Sequence, residues 1–261
     1  VQWLNRQTRE DAEQRLWDIM VHNIASYYNL VEYVGSLQNE LRMVRLGSDV
    51  LPVYTQHEWS YYWRKPDVVA YCEREFAKVG ERARALDVRL SMHPGQFTVL
   101  ASDTPEIVER SIEEFEYHTD VIRWMGYGKT FQDFKCNVHI SGRQGPAGII
   151  HAVNKRLSPE ARNCITIEND EMSWGIEASL ELVDTCACVL HRHHQWCCTG
   201  ESILPTADRY LRMIDSWRGV RPVLHHSYSR DEWLPQDFAH DTMPNMEQLL
   251  EAGYKKQKLR A

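Results

Sequence analysis

Six stretches of this 261-residue chain end on, or lead directly into, a side chain able to bind a metal ion: His57, His93, His139, Glu168, His191 and His225. Taken singly, each histidine reads equally well as an ordinary core or surface imidazole. Their regular recurrence after short apolar runs is what carries information. In a barrel of parallel strands the carboxyl ends converge on one mouth, so such residues would meet there although distant in sequence. Imidazole and carboxylate are donors suited to Mn, Zn and Fe, and ions so held can make a water acidic near neutral pH and thereby hydrolyse a substrate. Several ions a few ångström apart suit phosphodiester cleavage in particular. Glu168, the one acid of the six, closes the alternating run Ile165-Thr-Ile-Glu168 and is the candidate bridge between ions. With His225 it is also the candidate catalytic residue.

The elements needed to position these groups are visible as alternation. Short β-branched or apolar runs lie at 42–46, 89–92, 136–140, 164–168, 187–191 and 222–225, and amphipathic, helix-length segments at 8–27, 66–86, 104–125, 146–156, 175–185 and 206–217. Asp103-Thr-Pro-Glu106 and Leu157-Ser-Pro-Glu160 each set a capping hydroxyl before a proline at the first helical position. The pattern predicts an α/β chain folded as a TIM-type (β/α)8 barrel, one domain over 1–261. Only six of eight strands are visible, so either the ends are unusual or the first and last strands lie outside this chain. Met246 to Leu259 has a helical period instead.

Two further motifs stand out. Cys186-x-Cys188 followed by His191-Arg-His-His194 and Cys197-Cys198 invites a structural zinc reading. It lacks a Cys-x-x-Cys knuckle, however, and Cys186 and Cys188 fall in a strand whose apolar run predicts burial. His93-Pro-Gly-Gln-Phe97 places a rigid turn after a candidate ligand, projecting Gln96 and Phe97 outward. An amide beside an aromatic ring can probe a base stack, and such a wedge opens a distorted base pair at less cost than an intact one.

Composition narrows the class. A formal charge of −7 argues against a generally basic nucleic-acid binder, so any DNA contact must be local or assisted by cations. Lys255, Lys256, Lys258 and Arg260 form the one basic cluster and read as a solvated helix face. Seven cysteines, mostly in apolar segments, fit a reducing compartment. With no long apolar run and a polar start, the expectation is a soluble, cytoplasmic, monomeric protein without a membrane partner.

Across most of its length the chain resembles the UV damage endonuclease family. The resemblance rests on Arg45-Leu-Gly-Ser48 through Pro52 to His57, Ser91-Met-His-Pro-Gly-Gln-Phe97, Asn137-Val-His-Ile-Ser-Gly142, Ile167-Glu-Asn-Asp170, and Ser216-Trp-Arg-Gly-Val-Arg-Pro222 leading into His225. It implies a barrel holding up to three Mn-type ions, with Zn, Co or Mg as other occupants, that nicks damaged double-stranded DNA 5′ to UV photoproducts through a metal-activated hydroxide. It also implies His57, His93, His139, Glu168, His194 and His225 as ligands, with Gln96 and Phe97 as the lesion-probing pair. The chain departs from the family pattern at three places. His191 replaces the aspartate of an Asp-x-x-His pair, which removes one negative charge from the site. Val223 stands where some members carry a modified lysine. The closing ligand motif is expected to lie just beyond Lys258-Leu-Arg-Ala261, with His240 and Glu251 as the alternative of a shortened version.

Two other readings share these residues. A sugar isomerase on a metal barrel would also gather His and Glu at strand ends, but would gain nothing from an outward wedge. A weakened, lesion-binding protein would follow from His191 and the missing closing ligand.

Overall fold

The computed structural model describes residues 1–227. Met246–Leu259, His240, Glu251 and the terminal basic cluster lie outside the described residues. Helix α1 (Arg9–Gly35) is followed by β1 (Met43–Arg45), α2 (Pro66–Ala85), β2 (Arg89–Met92), α3 (Pro105–Trp124), β3 (Lys135–His139), α4 (Gly145–Lys155), α5 (Pro159–Cys164), β4 (Ile165–Glu168), α6 (Ile176–Leu180), β5 (Ala187–Val189), α7 (Arg192–Thr199) and α8 (Asp208–Asp215). The five strands are all parallel and ordered β1-β2-β3-β4-β5, the sequential winding of a TIM-type barrel wall.

Five of the expected strands form, and the sixth reduces to one parallel bridge between His191 and His225. Pro222 lacks a backbone N–H to donate, so a longer ladder cannot start there. The bridge still delivers His225 to the carboxyl edge: its N–H donates to Leu190 O at 3.0 Å, and Arg192 N–H donates to His225 O at 3.2 Å.

Helix positions follow the expected stretches, with informative differences. The first helix runs to Gly35 rather than residue 27, because its buried stripe of Ala12, Leu16, Met20, Ile24, Tyr27, Val31 and Val34 continues. Thr8 caps it by accepting from Asp11 N–H, and Ser158 caps α5 from Ala161 N–H. Thr104 makes no side-chain cap; its own N–H donates to Ser102 Oγ, while Pro105 opens α3 as expected. The segment at 175–185 shortens to α6, and α7 forms where no helix is expected.

Strand alternation divides the sheet into two chemistries. Cys136, Val138, Ile165, Ile167, Cys186, Cys188 and Leu190 join the main core beneath the helices. The other face carries Lys135, Asn137 and His139 on β3, and Thr166 and Glu168 on β4. Below them, Ala187, Val189, Trp217 and Val223 form a separate small apolar cluster. Close packing is enforced at Gly80, where an added Cβ would lie 1.8 Å from Met125 O. Gly142 (φ +94°), just beyond β3, is equally constrained: a Cβ would meet Ala101 O at 2.4 Å.

Candidate metal centre

At the carboxyl edge of this inner face sits Glu168, its side chain 1% exposed. A polar chain supports it from below: Thr166 Oγ1 donates to Asn137 Oδ1 at 2.7 Å, and Asn137 Nδ2 donates to Glu168 Oε2. A buried carboxylate needs such partners to remain charged. Burial raises the Glu168 pKa, but hydrogen bonds from His191 and His225 and the nearby imidazoles outweigh it, holding the carboxyl well below its usual range.

Among the described residues five histidines surround this carboxylate. On one side, His93 Nε2 lies 3.8 Å and His139 Nε2 3.9 Å from Glu168 Oε2, too far for a direct hydrogen bond. The outer nitrogens of both are occupied. His93 Nδ1 lies 2.8 Å from Pro94 O, and His139 Nδ1 lies 3.3 Å from Asp170 Oδ2. His194 follows the same rule, with Nδ1 2.8 Å from Asn169 O and Nε2 3.5 Å from Glu171 Oε2. An imidazole whose Nδ1–H is tied to oxygen presents a lone pair on Nε2, which is the arrangement that orients a metal ligand.

On the other side the contacts are direct. His191 Nδ1 and His225 Nδ1 lie 2.6 Å and 2.8 Å from Glu168 Oε1. Their outer nitrogens meet hydrogen-bonding groups, Ser227 Oγ at 3.0 Å from His191 Nε2 and Lys135 Nζ at 3.1 Å from His225 Nε2.

Asp170 shapes the first side. Its Oδ1 accepts from Met172 N–H and Ser173 N–H at 2.8 Å each, closing the loop that swings Glu171 back over the site. Asn169 locks the neighbouring strand end, its Oδ1 accepting from His191 N–H at 2.8 Å. Helix α7, starting immediately after His191, carries His194 three residues on and so on the same face.

Burial lowers the pKa of His93 and His194, which keeps them neutral and able to donate a lone pair near neutral pH. Burial would lower His139 too, but its hydrogen bond to Asp170 and the charges of Glu168, Asp170 and Glu171 raise it. Asp170 falls to about 2, burial being outweighed by His139 and the loop amides. Burial pushes Lys135 down to about 8.

Among the described residues three donor groups, each with ligand atoms within 4.8 Å of one another, result: His93/His139/Glu168, His139/Glu171/His194 and Glu168/His191/His225. The donor set fits a divalent cation on a specific observation. Glu171 Oε2 is buried without a hydrogen-bond partner while facing two imidazoles, an arrangement costly without a bound cation.

The structure thus brings together His93, His139, Glu168, His191, His194 and His225. It does not bring His57 to them: that side chain is exposed in the turns after β1 and belongs to none of the three groups. Gln96 and Phe97 occupy the tip of a turn closed by Thr98 N–H donating to Gly95 O at 2.9 Å, and Phe97 is 84% exposed. Glu171, Lys135 and Asn137 were not anticipated. Lys135 and Asn137 share the two-residue period of His139, and Glu171 follows an Asn-Asp turn signal; those were the available clues. The cysteines do not form a zinc knuckle: Cys186 and Cys188 are buried among apolar residues, and Cys197 and Cys198 are exposed on α7.

Comparison with known proteins places these residues in context. Residues 2–252 match the family model described as UV-endonuclease UvdE. The UV DNA damage endonuclease of Bacillus velezensis is 27% identical over 242 residues, covering 88% of this chain and 70% of that protein. That of Nostoc sp. is 27% identical over 190 residues, 71% of this chain and 56% of the relative. The UV-damage endonuclease of Neurospora crassa is 28% identical over 203 residues, 72% of this chain and 30% of its own length. This chain therefore spans only part of the relatives it matches. The solved structure described as "Crystal Structure of SacUVDE" superposes with a TM-score of 0.69 at 22% identity, over 84% of this chain and 73% of that one. It shares the TIM-type α/β fold.

Proposed function

The chain belongs to the UV-endonuclease UvdE family, and on that premise we propose that it is a DNA repair endonuclease nicking the backbone 5′ to UV photoproducts or related lesions in double-stranded DNA. The observation that carries this reading is the adjacency of two features: open imidazole and carboxylate donors around Glu168 and Glu171, and an exposed Gln96–Phe97 turn that begins two residues after His93.

In this reading His93, His139, His194, Glu168 and Glu171 hold divalent ions, with Mn the expected ion for a mixed nitrogen and oxygen donor set. Bound ions would supply Lewis acidity at the scissile phosphate and make an attacking water acidic near neutral pH. The remaining work falls to the chain. Asp170 and the carbonyls of Pro94 and Asn169 fix the imidazole orientations, Asn137 and Thr166 hold the Glu168 carboxylate, and Phe97 wedges beside the lesion while Gln96 contacts the exposed base edge. His225 and Glu168, linked by their hydrogen bond, stand next to the reacting groups. The net charge of −7 makes cations at the mouth the means by which a phosphate backbone is attracted.

The reading extends to a single-domain, monomeric, cytoplasmic enzyme; among the described residues no helix is long and apolar enough to cross a membrane. A nicking assay on irradiated plasmid tests the function. Mn2+ should convert irradiated supercoiled plasmid to the open circle, and chelation should stop it, with unirradiated plasmid left intact. Binding without cleavage at every metal concentration would instead favour a lesion-binding protein. Cleavage independent of irradiation would remove the role given to Phe97.

A further inference from the structure

Hydrogen-bond geometry divides the histidines around Glu168 into two functional kinds. His93, His139 and His194 each commit Nδ1 to an oxygen acceptor, at 2.8, 3.3 and 2.8 Å. Each leaves Nε2 facing a carboxylate oxygen at 3.8, 3.9 and 3.5 Å. Two donor atoms that share a first-row cation, each about 2.1 Å from it, are themselves held about 3 to 4 Å apart. These spacings have room for an ion.

His191 and His225 are arranged the other way round. Their Nδ1 atoms touch Glu168 Oε1 directly, at 2.6 and 2.8 Å, distances of charge-assisted hydrogen bonds. Behind His225, Lys135 Nζ lies 3.1 Å from Nε2. An ammonium has three donors and no acceptor, so His225 Nε2 must accept, and the ring proton must then reside on Nδ1, pointing at Glu168. Behind His191, the Ser227 hydroxyl lies 3.0 Å from Nε2 and can donate to it, while the ionised Glu168 oxygen at Nδ1 can only accept, which gives the same tautomer. Neither Nδ1 therefore offers a lone pair. Lys135 is itself buried, 5% exposed, and is held in place behind this group.

From this we infer that Lys135 takes the place of a metal ion: the Glu168/His191/His225 group is a hydrogen-bonded cluster that positions Glu168, and ions bind only on the His93, His139 and His194 side. The inference rests on the reading of the site as a metal centre, and it narrows that reading to particular ligands. Lys135 is a positioning residue. It sets the His225 tautomer, and through it fixes the Glu168 oxygen that does not face the ions.

Ion counting tests it without recourse to activity. The purified full chain is dialysed to equilibrium against Mn2+, and bound metal per chain is measured by elemental analysis, with thermal melts confirming that each variant is folded. His225→Phe and His191→Phe are expected to keep the wild-type count, whereas His139→Phe loses at least one ion. Lys135→Met, which frees the His225 tautomer and removes the local charge, gains one ion; if it fails to fold, Lys135→Leu, which likewise has no donor, carries the same expectation. Loss of an ion in His225→Phe or His191→Phe, or no gain in a folded Lys135 variant, overturns the inference and leaves the nuclease reading standing. A wild-type chain that binds no Mn2+ overturns both.

Discussion

The two sides of the Glu168 carboxylate are built from the same residue type and differ in what stands behind each ring. Where a carbonyl or carboxylate takes the Nδ1 proton, as at His93, His139 and His194, the imidazole turns a lone pair inward. Where Lys135 or the Ser227 hydroxyl meets Nε2, as at His225 and His191, it turns a proton inward. The outer partner sets the tautomer, and the tautomer decides between ligand and hydrogen-bond donor. Histidine count alone therefore overstates the metal-binding capacity of such a site.

The most severe test of the contrast is to neutralise the carboxylate both sides share. Glu168→Gln is expected to lower nicking of irradiated plasmid by on the order of 10³-fold and to reduce bound Mn2+, because Oε2 serves the ion side while Oε1 serves the other. Retention of activity within a few-fold would mean that Glu168 is not the centre of the site. A smaller effect should follow from disturbing only a supporting group on the ion side. Asp170→Asn keeps shape but weakens the hold on His139 and on the Glu171 loop, so Mn2+ affinity should fall by about 10- to 100-fold. Calorimetric titration with Mn2+ measures it. An unchanged affinity would place His139 outside the ligand set.

The exposed turn offers a third comparison, since it follows His93 directly while its tip residues, Gln96 and Phe97, make none of the hydrogen bonds that orient the histidines on either side. Phe97→Ala should reduce the preference for irradiated over intact plasmid by about 10-fold, the scale of one lost base–aromatic stack, with the bound-ion count unchanged. If the ion count falls instead, Phe97 supports His93 rather than reading DNA.

How much of this was legible beforehand divides along physical lines. Strands β1 to β5 were readable because each combines a short apolar run with a following turn, and helices α1 to α4, α6 and α8 because their apolar stripes or prolines mark them. The convergence of His93, His139, Glu168, His191 and His225 followed from strand ends sharing one edge, whereas His194 came with the family resemblance and His57, set in turns well after β1, did not converge. Helix α7 was hidden because Arg192-His-His-Gln-Trp-Cys-Cys has little amphipathic pattern and begins directly on a strand end. The sixth strand was overread, since Pro222 removes a donor from the ladder. Lys135 escaped notice because a lysine in an apolar strand reads as a boundary residue; only its register with Asn137 and His139 places it inward. The tautomers could not be read at all, because they depend on partners as remote in sequence as Lys135 from His225.

The gentlest probe concerns the His139–Asp170 pair in metal-free protein, which has no counterpart on the opposite side. Asp170 has a carboxyl lowered from 3.8 to about 2 on folding, so its contribution to stability is present above the unfolded value and fades as pH falls towards 2. His139 is raised above 6.5, so its contribution is complete below that value and fades as pH rises through the folded one. Both hold together only between about pH 4 and about pH 6.5. In chelator, Asp170→Asn should therefore cost about 1 to 2 kcal/mol in that window and less above it, where the backbone amides of Met172 and Ser173 and the Ser173 hydroxyl remain as partners of the carboxylate. Urea unfolding at a series of pH values reads the difference. A penalty that is flat across pH 5 to 9 would mean that the loop amides alone hold Asp170, and that His139 owes its orientation to another group.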